Sequence, residues 1–257
     1  MTPLERAIET ERRYFEMGAR IEQLNGAVLA WMPGLAACPA GAVIHRADSD
    51  VIAHRGEPWI IDAERALSAA GVALARIYLD SRGPADELLR RAGYADREEL
   101  VFANSLEDGG LELDLRPVLT PDEWQRKLEL HQAGDISPDG HHVPAAEWVA
   151  LERRKCDDGM EAYLAEAGGE IVGAIGAIRG DGILRMKNIL IHPAHRRHGL
   201  ARAMLHRLAA IGRKQGISEQ CVFAVRGDAG EQLYRSSGMH LVGAQVEWSK
   251  PLGVSMP

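Results

Sequence analysis

Residues 188–205 read NILIHPAHRRHGLARAML, and no other stretch constrains the fold of this chain as tightly. Asn188 to Ile191 is strand-like, Pro193 ends the strand, and Arg196-Arg197-His198-Gly199-Leu200-Ala201 leads straight into a helix. The first four N–H groups of a helix have no intrahelical partner, and their summed partial charge favours an anion. Gly199 lets the main chain approach a ligand closely, and Ala201 is small for the same reason. Arg196, Arg197 and Arg202 add full charges and forked donors that suit phosphate oxygens. A pyrophosphate is the natural guest of such a turn; a loop of solvated arginines is the competing reading.

The rest of the chain narrows the choice. Its 257 residues leave room for two domains and need no disulfide or metal staples. No apolar run is long enough to span a membrane, and the charged, alternating start MTPLERAIETERRYFEMG reads as a helix rather than a signal peptide. The three cysteines, Cys38, Cys156 and Cys221, are far apart and form no CxxC pair, which fits a reducing cytoplasm. Net charge is −7, but residues 1–116 hold 20 acids and 13 bases, whereas residues 117–257 hold 17 of each. A chain without a basic face is a poor nucleic-acid binder. The run His192, His195, His198 has metal-ligand spacing, but Arg196 and Arg197 among them repel a metal ion, so no metal is expected.

Hydrophobic spacing at Leu4, Ile8 and Phe15 predicts a first helix. Strands are predicted at 27–32, 42–46, 72–79 and 98–103, a short helix at 63–70, and a helix from Gly83-Pro84 to Gly93. The polar stretch 104–117, NSLEDGGLELDLRP, is the expected boundary between domains 1–115 and 116–257. The second half reads helix from Thr120-Pro121, helix 145–155, strands 161–166, 171–178 and 183–191, helix 199–215, strand 220–225, helix 228–237 and strand 240–249. The expected class is therefore α/β, with a mixed sheet.

With the turn and this element order in place, the sequence resembles the GCN5-related N-acetyltransferase (GNAT) superfamily. Arg196-x-x-Gly199-x-Ala201 fits its Arg/Gln-x-x-Gly-x-Gly/Ala motif, and Ile191-His192-Pro193 resembles its Val-His-Pro strand end. Gly227-x-x-Gly230-x-x-Leu233-Tyr234-x-x-x-Gly238-Met239 is similar to its Asn-x-x-Ala-x-x-Leu-Tyr-x-x-x-Gly-Phe helix, with Gly227, Gly230 and Met239 departing from the pattern. The resemblance covers about 130 residues of the second half. It implies acetyl-CoA as co-substrate. The pantetheine arm would lie along Ile189, Leu190 and Ile191, the pyrophosphate on the turn from Arg196 to Arg202, and the thioester beside the helix of Asp228, Gly230 and Tyr234. It also implies direct attack by an amine, with Tyr234 giving a proton to the departing thiolate and the amide of Ile191 or its neighbour facing the developing oxyanion.

The base is open in the sequence. Many relatives use a Glu on the strand before the turn, but Leu184 to Asn188 contains no acid. His141, taken as the catalytic candidate, His142, Glu152 and Asp157 are the residues considered, alongside a water chain or an amine that arrives neutral. Cys156 has basic neighbours but reads as a buried helix cysteine. Residues 76–103 repeat the pattern of strand, helix ending in Leu-x-x-x-Gly-aromatic, and strand, without a basic glycine turn at 50–75. The first half thus reads as a partial, degenerate GNAT-like copy that completes the acceptor cleft, extends the sheet or forms a homodimer surface. The expected activity is acetylation of a primary amine of a small molecule or amino-acid-like acceptor. A CoA-binding sensor without turnover and a protein-amine acetyltransferase are the alternatives.

Overall fold

Thr2 starts the first helix, α1 (Pro3–Glu16), with a capping box in which its hydroxyl accepts from the Glu5 amide and the Glu5 carboxylate accepts from the Thr2 amide. The inner face of α1 buries Ala7, Ile8, Thr10, Glu11, Tyr14 and Phe15. The structure is a computed structural model and describes residues 1–35, 38, 40–107, 113–134 and 143–252.

After α1 come β1 (Arg20–Leu24), β2 (Ala27–Trp31), β3 (Ala42–His45), α2 (Ser49–Arg55), α3 (Glu57–Ala69), β4 (Leu74–Leu79), α4 (Ala85–Arg91) and β5 (Ala95–Asn104). The second half holds β6 (Asp114–Pro117), α5 (Pro121–Gly134), α6 (Ala145–Asp157), β7 (Glu161–Ala167), β8 (Glu170–Arg179), β9 (Ile183–Ile191), α7 (Leu200–Lys214), β10 (Glu219–Val225), α8 (Ala229–Ser236) and β11 (His240–Pro251). Three of these elements were not read from the sequence. The strands β1 and β6 are short, mostly exposed edge strands, held by their hydrogen bonds to β2 and β7. The helix α2 starts on an Asp48 cap that accepts from the Asp50 and Val51 amides. The apolar run Trp59-Ile60-Ile61 lies in α3, which begins earlier than the short helix expected at 63–70.

The eleven described strands form one sheet in the order β1-β2-β3-β4-β11-β5-β10-β9-β8-β7-β6. Two features of that order position the site. First, the last strands of the halves are exchanged: β11 pairs with β4 and β5, and β5 pairs with β10. Second, β9 and β10 are parallel and pair only where Ile183–Arg185 meets Glu219–Cys221. Beyond Arg185 the two strands diverge into a V.

Alternation along β5 assigns the two faces. Val101 and Ala103 pack with Ala7 of α1, Ile183 and Cys221. Leu100 and Phe102 pack on the other face with Leu200, Met204, Leu208 and Val222. The V is thus an opening through the sheet, with α1 on one side and α7 and α8 on the other. Among the described residues, no helix is long and apolar enough to cross a membrane.

Candidate active site

At the C-terminal end of β9, His192 N–H donates to Val172 O on β8, so the main-chain groups of Leu190 and His192 face β8. By alternation those of Ile189 and Ile191 face the diverging side. Leu190 itself is buried among Trp124, Leu130 and Val149, so its role is to seat the strand rather than to offer main-chain donors to the V. The register with β8 shifts at Asn188 and Ile189, which together oppose Ile175, so β9 carries a bulge there, and Asn188 has a φ of +54°, in the left-handed region. Its side chain donates to Glu152 Oε1 at 2.7 Å, and Glu152 Oε2 lies 3.2 Å from Lys127 Nζ and 3.4 Å from His131 Nε2. Burial alone would raise the Glu152 carboxyl, but Lys127 and His131 hold it below its ordinary value. This triad is fully enclosed, so Glu152 anchors the bulge and does not reach a substrate.

The turn after β9 exposes Arg196, Arg197, His198 and Gly199. Arg197 has φ +67° and Gly199 φ +77°, and Gly199 begins α7 with no side-chain cap over its first N–H groups. Leu200 turns into the core, Ala201 is half-buried and Arg202 is exposed. Arg196 does a different job from its neighbours: its Nε donates to Ile191 O at 3.3 Å and its guanidinium reaches Gly134 O at 3.0 Å, tying the turn to the end of α5. The rings of His192 and His195 lie 5.5 Å apart; His192 Nδ1 accepts from the Ala194 amide and His195 faces Glu170 at 3.7 Å.

Two adjoining cavities, of about 460 and 210 Å³, occupy the V. Both are lined by Glu11, Glu99, Lys187, Asn188, Val225 and Asp228. The larger adds Tyr14, Phe15, Tyr78 and Trp148 on the α1 side; the smaller adds Tyr234 and Arg185. Tyr234 stands on α8, with its ring 6.0 Å from that of Phe102, and burial, with Asp228 acting in the same sense, pushes its phenol up to about 12. A group in that state is protonated at neutral pH and is a donor. Asp228 caps α8 by accepting from the Glu231 amide at 2.8 Å. A Cβ at Gly230 would stand 3.2 Å from the capping Asp228 Oδ1, a tight approach, and in ordinary contact, 3.5 Å, with Ala224 Cβ of β10.

Three acids absent from the expected site reach this region or stand behind it. Glu11 accepts from Arg185 at 2.8 Å and Lys187 at 3.0 Å; burial would raise it, but the two cations hold it at about 2. Glu247 accepts from Arg76 at 2.9 Å, Arg97 at 2.6 Å and the Tyr78 hydroxyl at 2.8 Å. Glu99 accepts from Gln245 Nε2 at 2.7 Å, and burial together with the negative Glu247 and Glu11 pushes it up to about 7. Asp228, expected beside the thioester, lines both cavities with Glu11 and Glu99. The sequence did carry a signal for Glu11: it occupies a core position in the stripe Leu4, Ile8, Glu11, Phe15. His141 and His142 lie outside the described residues, and Asp157 is exposed beside a separate cavity that shares no residue with the V.

The family model described as "Acetyltransferase (GNAT) family" matches residues 124–239. No curated protein matches the chain. Among solved structures, a GCN5-related N-acetyltransferase from Kribbella flavida is similar at 14% identity and a TM-score of 0.70, over 98% of this chain and 97% of its own. A functionally unknown conserved protein from Staphylococcus epidermidis is similar at 12% identity and 0.67, over 91% and 95%. A tandem GNAT protein from the clavulanic acid biosynthesis pathway is similar at 13% and 0.55, over 90% and 79%. At these identities the likeness is one of fold.

Proposed function

Residues 124–239 place this chain in the GNAT acetyltransferase family of acetyl-CoA-dependent acyltransferases, and from that premise we propose that it acetylates the primary amine of a small molecule by direct transfer within the V between β9 and β10. The observation that carries the reading is the opening itself. It joins a face where Tyr234 stands to a face where acids and aromatic side chains form a cavity the size of a small molecule.

In this reading, the N–H groups at the start of α7, with Arg197 and Arg202 beside them, hold the diphosphate of acetyl-CoA. The diverging edge of β9 at Ile189 and Ile191 pairs with the amides of the pantetheine arm as an added strand would. The thioester then lies in the V, where the amine meets it from the α1 side. Tyr234 gives its proton to the sulfur as the C–S bond breaks. The larger cavity, walled by Tyr14, Phe15, Tyr78 and Trp148, favours a compact acceptor with an apolar body over an extended protein segment.

The test is a thiol-release assay with acetyl-CoA and a panel of primary amines. Tyr234→Phe should slow turnover with little change in CoA affinity. Tight CoA binding by calorimetry with no thiol released from any amine would make the protein a CoA-binding sensor instead.

A further inference from the structure

We propose that Glu99, on β5 in the first half of the chain, is the catalytic base that takes the proton from the acceptor's ammonium. The proposal rests on the acetyl-transfer reading above and deepens it: the base comes from across the sheet rather than from β9.

The strand β9 has no acid between Leu184 and Asn188, so the base must enter the V from elsewhere. The exchange of last strands brings β5 alongside β10, and Glu99 is the register partner of Val225, at the end where β9 has already diverged. Glu99 therefore stands at the mouth of the opening and lines both cavities.

The other glutamates there are committed: Glu11 is closed by Arg185 and Lys187, and Glu247 by Arg76, Arg97 and Tyr78. Asp228 caps α8 through Oδ1 and is exposed, without the burial that marks Glu99. Among the described residues, Glu99 accepts one hydrogen bond, from the neutral Gln245 amide, and Arg97 stands 3.8 Å from its other oxygen. The charged groups around it, among the described residues, are Arg97 on its own strand, Glu247 on β11, Glu11 on α1, Lys187 on β9, Arg76 on β4 and Asp228 before α8. The surplus of negative charge and the burial push the carboxyl up to about 7. A base of that strength accepts a proton readily and returns it to solvent within a turnover.

The proton account closes. The ammonium gives one proton to Glu99, and the freed lone pair forms the C–N bond to the acetyl carbon. The C–S bond breaks, and the thiolate takes the phenol proton of Tyr234. The second proton leaving the nitrogen replaces the one Tyr234 supplied. Glu99 then releases its proton to water, and the amide and free thiol depart.

Glu99→Gln and Glu99→Asp test this with alkylamines and with aniline, whose amine is already neutral near pH 7. With alkylamines, Glu99→Gln should lower kcat/KM by roughly 10²–10⁴-fold and abolish the acidic limb near pH 7. With aniline the loss should be under about tenfold, because no ammonium proton has to be removed. Glu99→Asp should keep the limb at reduced rate, and CoA affinity should be unchanged in both variants. Alkylamine turnover by Glu99→Gln at the wild-type rate, with its acidic limb intact, would overturn the proposal. So would equal losses for both amine classes. Separately from turnover, carbon NMR of side-chain carboxyls should show one group titrating near pH 7 that disappears in Glu99→Gln; its absence from the wild-type spectrum also overturns the assignment. Wild-type protein that releases no thiol with any amine would bring down the acetyl-transfer reading itself, a different failure.

Discussion

A carboxyl held at the wrong pKa by its surroundings has a thermodynamic consequence that can be measured without substrate. Glu99 has an ordinary value of 4.5 and is raised to about 7 in the folded protein. Between those values the native state carries a proton that the unfolded chain has lost, so stability falls as pH rises through this window and stays reduced above it. A rise of about 2.5 in pKa corresponds to ~3 kcal/mol at most, and relaxation around a partly exposed side chain brings the expected effect to about 1–2 kcal/mol. Glu99→Gln removes the charge and keeps an oxygen that can accept from Gln245. The variant should therefore match wild type at pH 4.5 and exceed it by ~1–2 kcal/mol at pH 8, about 2–8 °C in Tm for a chain of this size. Urea denaturation at both pH values reads the difference directly. A stability difference that does not change between pH 4.5 and 8 would refute the reasoning, because it would mean that Glu99 titrates alike in the folded and unfolded states.

The remaining predictions concern other parts of the site. Glu152→Ala leaves Lys127 charged and enclosed without its partner, so it should cost about 3–5 kcal/mol and release the Asn188 bulge; thermal melting and CoA calorimetry check both effects. Arg197→Glu reverses the charge beside the first turn of α7 and should weaken CoA binding at least ~10-fold, with the loss shrinking as salt is raised. Gly199→Ala places a Cβ at φ +77° and should cost about 1–2 kcal/mol while weakening CoA binding. Glu11 is held at about 2, so its ion pairs with Arg185 and Lys187 stabilise the fold above its ordinary value of 4.5, and that contribution is lost as pH falls from 4.5 through 2. Glu11→Gln should flatten this part of an acid-unfolding curve.

Much of the second half was legible because its signals are local. A helix that starts at left-handed Gly199, and a Leu-Tyr pair that ends four residues before left-handed Gly238, are written in consecutive residues. The edge strands β1 and β6 were not legible: β1 has no apolar alternation of its own, and at β6 the alternation of Leu113 and Leu115 is too short, in a polar glycine-bearing stretch, to stand out from a linker. Glu99 was hidden for a related reason. In Arg97-Glu98-Glu99-Leu100 it resembles the polar lead-in to a strand, and only the insertion of β5 between β10 and β11 turns it toward the V. Leu190 and Arg196 were read as ligand contacts from their place in a motif. The structure gives them neighbours that only tertiary packing could reveal: a core for one, two main-chain carbonyls for the other.

The reciprocal insertion of β5 and β11 bears on how this molecule can be taken apart. A cut in the connection between β5 and β6 would sever the polypeptide without separating the pieces, since each retains a ribbon clasped inside the other's array. Either fragment made alone would show raw strand edges to the solvent, an invitation to aggregate. Produced together, the two should find each other and restore the whole, like a hinge pinned through both leaves.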